Sequence, residues 1–391
     1  MNSKERIMAA LNLEEPDRVP SHLILIDANN VDEILGKPQI SDFDTLEQIK
    51  RDNPDNGGEE INNLIEIVET SIFSRCVEAA AKIGLDAMQV GIVPLGFFDE
   101  PNDDRNLMKD IFGRIWEARN NEGNFNPYYL YGTMNTPEKW KETKENIEGP
   151  LTEKYKKFVK RFYSRINKKH KNNIFVMVTN DLAGVFESAS QGMGLNYYFK
   201  NAIKNPNFIK EVHQVYAQFT ADIYKSYMDA GAEVFVESGD LAYKGRPMMS
   251  PKKFRDLLLP SYKLITDTIH ERGKKIVLHT DGQVTPLLDF IIDCGFDGLQ
   301  SLEPTAGVDL ALVKKKVGDK LCLMGNIDVA HDLVSGTKEE VYKAVKYAIK
   351  TAGPGGGFII SAANMHPGVK VQNLKWMVEA TKEYGPYPLK I

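Results

Sequence analysis

Cysteine is scarce: Cys76, Cys294 and Cys322 are too few and too scattered over 391 residues for a disulfide framework or a cysteine-rich zinc site. No apolar run exceeds a handful of residues, so no segment reads as a membrane span. Charge is not segregated either. Lys and Arg number 49 against 54 Asp and Glu, interspersed, for a net charge of −5, and no basic stripe offers a surface to nucleic acid or an acidic membrane. Residues 1–13 spell a short amphipathic helix without the apolar core or cleavage site of a secretion signal, so a cytoplasmic protein is expected. There is no His-Glu-x-x-His and no Gly-x-Ser-x-Gly. The glycine run 353–357 precedes a strand, whereas a phosphate cradle follows one, so it reads as a helix-to-strand turn.

What is present is a repeated unit of strand and helix. Eight short β-branched or apolar runs stand at 23–26, 87–90, 174–178, 234–236, 275–278, 298–302, 321–324 and 357–360. Between them lie stretches with helical spacing, such as 251–272 and 338–351. Eight alternating units are the count of a TIM (β/α)₈ barrel, with a doubly wound open sheet as the rival. We expect one barrel domain over 1–391, with an N-terminal helical extension. Residues 27–70 read as a long polar interruption with a plain loop at 53–58. Runs 112–119 and 124–131 read as a β-hairpin inside an insertion, 91–150, over the barrel mouth.

In such a barrel chemistry gathers at the C-terminal strand ends. Here those ends carry Asp27, Gln89, Asn180 and Asp181, then Glu237 to Asp240, His279 and Asp281, Gln300 and Glu303, Asn326 and Asp328, and Ser361, Asn364 and His366. His279-x-Asp281 is the sharpest feature, because residues two apart on a strand face one way. The pair can be metal ligands with Glu237 as a third, or a general acid with its orienting carboxylate, or a hydrogen-bonded pair closing a strand. The three cysteines read as core residues, and the other histidines as residues of helices or polar loops, mostly solvated.

The run Glu15-Pro16-Asp17-Arg18-Val19-Pro20, Gly239-Asp240-Leu241-Ala242 with Met249-Ser250-Pro251, and Leu278-His279-Thr280-Asp281-Gly282 follow one another in a recognisable order. Gly325-Asn326-Ile327-Asp328, Gly353 to Gly357 and His366-Pro367-Gly368-Val369 complete it. In this order the chain resembles the uroporphyrinogen decarboxylase superfamily. The resemblance implies a TIM barrel with its site at the C-terminal mouth.

That superfamily divides by chemistry. Its true decarboxylases carry an arginine-rich loop near the N-terminus that holds a polycarboxylate. The matching position here reads Asp27-Ala28-Asn29-Asn30, with only Arg18 and Lys37 cationic nearby, so porphyrinogen is not expected as substrate. The other large branch holds methyltransferases that work with corrinoid proteins, in which thiol-active members bind zinc through His-x-Cys and a later cysteine. Asp281 replaces the first cysteine and the second falls near Asn364; His279 alone is retained. A histidine with oxygen ligands makes a harder metal, suited to an ether, phenolic or amine donor rather than a thiol.

The resemblance therefore implies a methyltransferase of an anaerobic corrinoid-dependent system, of the O-demethylase type. It would move a methyl group between a small O- or N-methyl donor, or a folate, and the cobalt of a separate corrinoid protein. This chain lacks the Asp-x-His-x-x-Gly loop with which corrinoid proteins ligate cobalt. Zinc is the metal considered, through His279 and Glu237. His279, Asp281 and Asp181 are the expected catalytic residues. Asp240, Tyr243, Asn180, Asn326, Asp328, Asn364 and His366 are the expected substrate-binding residues. A decarboxylase of another substrate and a non-catalytic ligand-binding relative are the alternatives.

Overall fold

Short runs of Val, Ile, Leu and Met, apolar on both faces, need partners on both sides, and closing a parallel sheet inside a ring of helices supplies them. The computed structural model describes residues 1–37, 59–91, 107–121, 124–180 and 184–390. In it eight parallel strands form a closed barrel: β1 Ser21–Leu23, β2 Ala87–Val90, β3 Phe175–Thr179, β4 Val234–Ser238, β5 Lys275–Thr280, β6 Gly298–Ser301, β7 Cys322–Ile327 and β8 Phe358–Ala362. Closure is made by β1, which pairs with both β2 and β8. All eight expected strands are present and the open-sheet rival is excluded. β1 starts and ends earlier than the run 23–26 suggested, which matters below.

The helices follow from their capping chemistry. Pro251–His270 begins with Ser250 accepting from the Lys253 amide and Pro251 in the first turn. It buries Phe254, Leu257, Leu258, Tyr262, Ile265 and Ile269 against the barrel wall. Lys338–Ala352 opens with a Thr337–Glu340 capping box. The interval 27–70, expected to be polar connection, instead holds the helix Ala28–Leu35 and the start of the helix Glu59–Ile83. The predicted loop at 53–58 lies outside the described residues.

The bottom of the barrel is plugged. Helix Ser3–Leu11, started by an Asn2–Glu5 capping box, inserts Ile7, Ala10 and Leu11 among the lumen residues Ala87, Phe175, Met177, Val234, Val236, Val277, Cys322, Met324 and Ile359. Asp86, whose side chain is 1% exposed, fixes this end. It takes two hydrogen bonds from Arg18 at 2.7 and 2.8 Å and one from Arg6 at 3.1 Å. The glycine run makes the expected turn into β8, with φ of 78°, 75° and 66° at Gly355, Gly356 and Gly357.

The hairpin is present as Arg114–Asn121 and Asn124–Gly132, with a third strand, Leu107–Lys109, along its edge. Asp110 pins its base, accepting from the Arg114 side chain at 2.6 Å and the Trp116 indole at 2.9 Å. Tyr129 and Met134 tie the sheet to the helix Val185–Met193 through Gln191 O and Gly192 O. All three cysteines are buried and unpaired. Among the described residues no helix is long and apolar enough to cross a membrane.

If the N-terminal helix is the floor of the core, truncating a floor residue must leave a cavity there. Ile7→Ala should therefore lower unfolding stability by about 2–5 kcal/mol, read from urea denaturation. A loss below about 0.5 kcal/mol would show that the helix is peripheral to the core.

Candidate active site at the barrel mouth

Strand alternation decides what faces the lumen. Ala87, Met177, Val236, Val277, Met324 and Ile359 line its lower layers. Two residues further along the same strands stand Gln89, Thr179, Ser238, His279, Asn326 and Ser361. Gln300 joins them, since it pairs in register with both His279 and Met324, and so does His22, which pairs with Ser361 and Ala87. Each strand thus turns from apolar to polar as it approaches its C-terminal end. The result is a polar ring on an apolar floor.

Three acids and bases come together on this ring. Asp240, two residues past Ser238, lies with His279 and Asp281 so that one ligand atom of each falls within 4.8 Å of the others. All three are half-buried. The Asp281 amide donates to Asp240 at 2.9 Å. Ser301 donates to one Asp281 oxygen at 2.6 Å, and the Asn364 amide to the other. Burial pushes the Asp281 carboxyl up; His279 offsets this, and the negative Asp240 adds to it. An imidazole flanked by two carboxylates is a ready set of ligands for a divalent cation.

The orientation of His279 is set from the next strand. Gln300 spends its amide N–H groups on Ala362 O at 3.1 Å and Ala363 O at 3.3 Å. Its oxygen therefore faces His279 Nδ1, which donates to it. In the neutral ring the lone pair then sits on Nε2. The backbone here is strained as well. Ser301, Leu302 and Asn326 have positive φ of 101°, 52° and 76°, and a side chain at Gly325 (φ 140°) would meet Ser301 O at 2.2 Å. Such conformations cost about 1–3 kcal/mol each and gather where side chains must be aimed; here they aim Ser301 at Asp281.

Other expected residues are placed elsewhere. Glu237 does not join the group. It pairs in register with Leu278, which packs into the outer core, so Glu237 points out of the barrel wall. There it accepts from Asn180 at 2.6 Å and from the Val185 amide at 3.0 Å. Asn180 is thereby a partner of Glu237, and also holds the Ser238 amide at 2.9 Å. Asp328 caps the π-helical segment Val329–Ser335 through the His331 amide. Asn326 bonds Leu302 O at 2.7 Å. Tyr243 is exposed at the rim against Arg246, and His366 is exposed in the loop after β8, accepting from the Gly368 amide. Asp181 lies outside the described residues. Asp27, in place of an arginine loop, caps the helix Ala28–Leu35.

The expectation of solvated histidines fails for His22, His170 and His213, which are all buried. His22 lies ahead of the apolar run 23–26, whereas β1 begins two residues earlier, at Ser21. Gln300 was seen only as a rim residue; its register beside His279 was the signal of its role.

A family model described as Uroporphyrinogen decarboxylase (URO-D) matches residues 152–384. The chain belongs to the uroporphyrinogen decarboxylase family. The Methylcobamide:CoM methyltransferase MtaA of Methanosarcina barkeri is 27% identical over 211 residues, covering 54% of this chain and 59% of that protein. A uroporphyrinogen decarboxylase of Chlorobaculum tepidum is 25% identical over 179 residues, covering 44% and 49%. The chain thus spans less than two thirds of the curated relatives it matches. A solved methyltransferase from Methanosarcina mazei shares the fold, with a TM-score of 0.71 over 98% of this chain and 99% of that one at 18% identity.

Burial of Glu237 gives a testable pH dependence. Burial raises its carboxyl to about 8, against the pull of Val185 and Asn180. The folded state therefore keeps a proton that the unfolded chain loses near pH 4.3. From this group stability falls as pH rises from about 5 to 8, by at most ~1.4 kcal/mol per pH unit; buried His22 and His213, held down at about 3 and about 4, give the opposite slope below about pH 6.5. Asp332, raised to about 6, adds slope in the lower half of that window. Urea midpoints of the native protein and of Glu237→Gln across pH 5–8 separate the two. The variant should lose the slope above pH 6.5, and equal slopes would mean that Glu237 is ionised in the fold.

Proposed function

We propose that this protein is a methyltransferase of a corrinoid system, moving a methyl group between a small O- or N-methyl compound, or a folate, and the cobalt of a separate corrinoid protein. The reading rests on the Asp240–His279–Asp281 group at the mouth of a uroporphyrinogen-decarboxylase-family barrel. Relatives named Methylcobamide:CoM methyltransferase and Methylated-thiol–coenzyme M methyltransferase support the reaction class. In this reading a separate corrinoid protein carries the cobalt, and residues 1–391 contain no Asp-x-His-x-x-Gly of their own. Three unpaired cysteines suit a reducing, cytoplasmic setting.

The donor set fits a divalent cation such as zinc. Two carboxylates close to one imidazole repel each other, and a cation between them relieves that repulsion. Asp240, His279 through Nε2, and Asp281 would hold it. Bound there, such a cation supplies a Lewis acid for the oxygen or nitrogen that gives up the methyl group, while a reduced corrinoid supplies the electron pair that accepts it. This chain's residues do the positioning. Gln300 fixes the His279 ring, and Ser301 and Asn364 fix the Asp281 carboxylate. The set contains no sulfur, so it favours a hard oxygen or nitrogen donor over a thiol.

Decarboxylation of a polycarboxylate is disfavoured by charge. Arg18, the arginine that precedes β1, is bound to Asp86 at the opposite end of the barrel. The mouth presents Asp240 and Asp281, with Glu303 near enough to raise Asp281 further.

The experiment is metal analysis of the purified protein combined with cob(I)alamin methylation across a panel of O- and N-methyl donors. His279→Ala should reduce the rate at least ~100-fold with an unchanged urea midpoint. Chelator should abolish activity and zinc restore it. Activity that ignores chelator would instead make His279 the acid that protonates the departing atom. Near-normal turnover by His279→Ala, or conversion of uroporphyrinogen to coproporphyrinogen, would overturn the reading.

A further inference from the structure

Opposite His279 the polar ring holds a second histidine. His22 is on β1, and β5 is four strands away from β1 in either direction around the barrel, so the two imidazoles face each other across the lumen. His22 is fully buried. The Ser361 hydroxyl lies 3.0 Å from Ala362 O and 3.1 Å from His22 Nδ1; with its proton assigned to the carbonyl, it accepts from Nδ1. In that arrangement His22 is the Nδ1–H tautomer, and its Nε2 carries a lone pair. Burial, with His279 adding to it, pushes the ring down to about 3, so it stays neutral.

That lone pair has no hydrogen-bond partner among the described residues, and neither does Gln89 Oε1 on the adjacent strand β2. Gln89 lies on the same inward face, two residues beyond Ala87, which pairs with His22. Gln89 is 3% exposed. Unmet acceptors in a buried wall are costly, and two on adjoining strands call for one donor group between them.

We propose that His22 and Gln89 form the recognition end of the substrate site, accepting hydrogen bonds from a hydroxyl, amide or ammonium group of the bound molecule. This rests on the methyl-transfer reading for the identity of the reacting end, at Asp240, His279 and Asp281. The ligand class is a small compound with a hydrogen-bond donor at one end and its O- or N-methyl group at the other. A carboxylate, sulfonate or other pure acceptor at the deep end is rejected, since it would face two lone pairs with no proton between them.

The test uses the full chain labelled with ¹⁵N-histidine and the probes 4-methoxyphenol and 1,4-dimethoxybenzene, which carry their two groups at opposite ends and differ by one hydroxyl donor. Two-bond ¹H–¹⁵N spectra report the histidine nitrogens, with His22 assigned by its loss in His22→Gln. We expect 4-methoxyphenol to move the His22 Nε2 signal and to bind at least ~10-fold more tightly than 1,4-dimethoxybenzene. His22→Gln, whose amide oxygen falls near the place of Nε2, should keep that preference, and His22→Leu should lose it. Equal affinities for the two probes, a His22 signal that does not respond, or a preference retained in a folded His22→Leu would each overturn the proposal. Should His22→Leu fail to fold, the native spectra and His22→Gln decide. No corrinoid enters this assay. Methyl transfer that fails while the probe preference holds would remove the methyltransferase reading and leave the subsite; the converse would remove the subsite alone.

Discussion

The two-residue alternation of a strand, closed into a barrel, governs everything else in this molecule. Because successive side chains point to opposite faces, each strand offers the lumen only every second residue. The apolar residues Val236, Val277, Met324 and Ile359 come first on that face, and the plug from Ile7 and Leu11 completes a dry floor beneath them. Ser238, His279, Asn326 and Ser361 come next on the same face. A polar group placed one residue earlier or later lands in the outer core instead. Glu237 is that case: it stays buried, protonated near neutrality and bound to Asn180 and Val185.

Charge at the mouth follows from the same constraint. The half-buried carboxylates Asp240 and Asp281 meet at an imidazole whose ring is set by Gln300, and Gln300 is in turn fixed by backbone carbonyls of β8 and the residue after it. The barrel's arginines near β1 work at the far end, where Asp86 consumes them. Among the described residues the mouth thus sets the carboxylates Asp240 and Asp281 beside neutral polar groups, with Arg246 at the rim against Tyr243.

Strain is concentrated in the same region. Among the described residues four non-glycine residues have positive φ; Leu13 follows the N-terminal helix, and Ser301, Leu302 and Asn326 stand at the C-terminal ends of β6 and β7. Ser301 reaches Asp281, and Asn326 holds Leu302 O. A backbone that is relaxed elsewhere in these strands is bent where it must aim a hydroxyl at a carboxylate.

The number of strands, their alternation with helices and the place of the His279–Asp281 pair were all legible in the sequence, because they depend on local hydrophobic period and on spacing along one strand. So was the third member, Asp240, as a rim residue, though not its meeting with His279. Relations between strands were not legible. Which face Glu237 takes depends on its register against Leu278; whether Gln300 orients His279 depends on the pairing of β5 with β6. The start of β1, and with it His22, depends on pairing with both β2 and β8. Local sequence determines what each strand can present; only closure of the barrel, which sets register between neighbours and brings opposite strands face to face, decides which of those side chains meet.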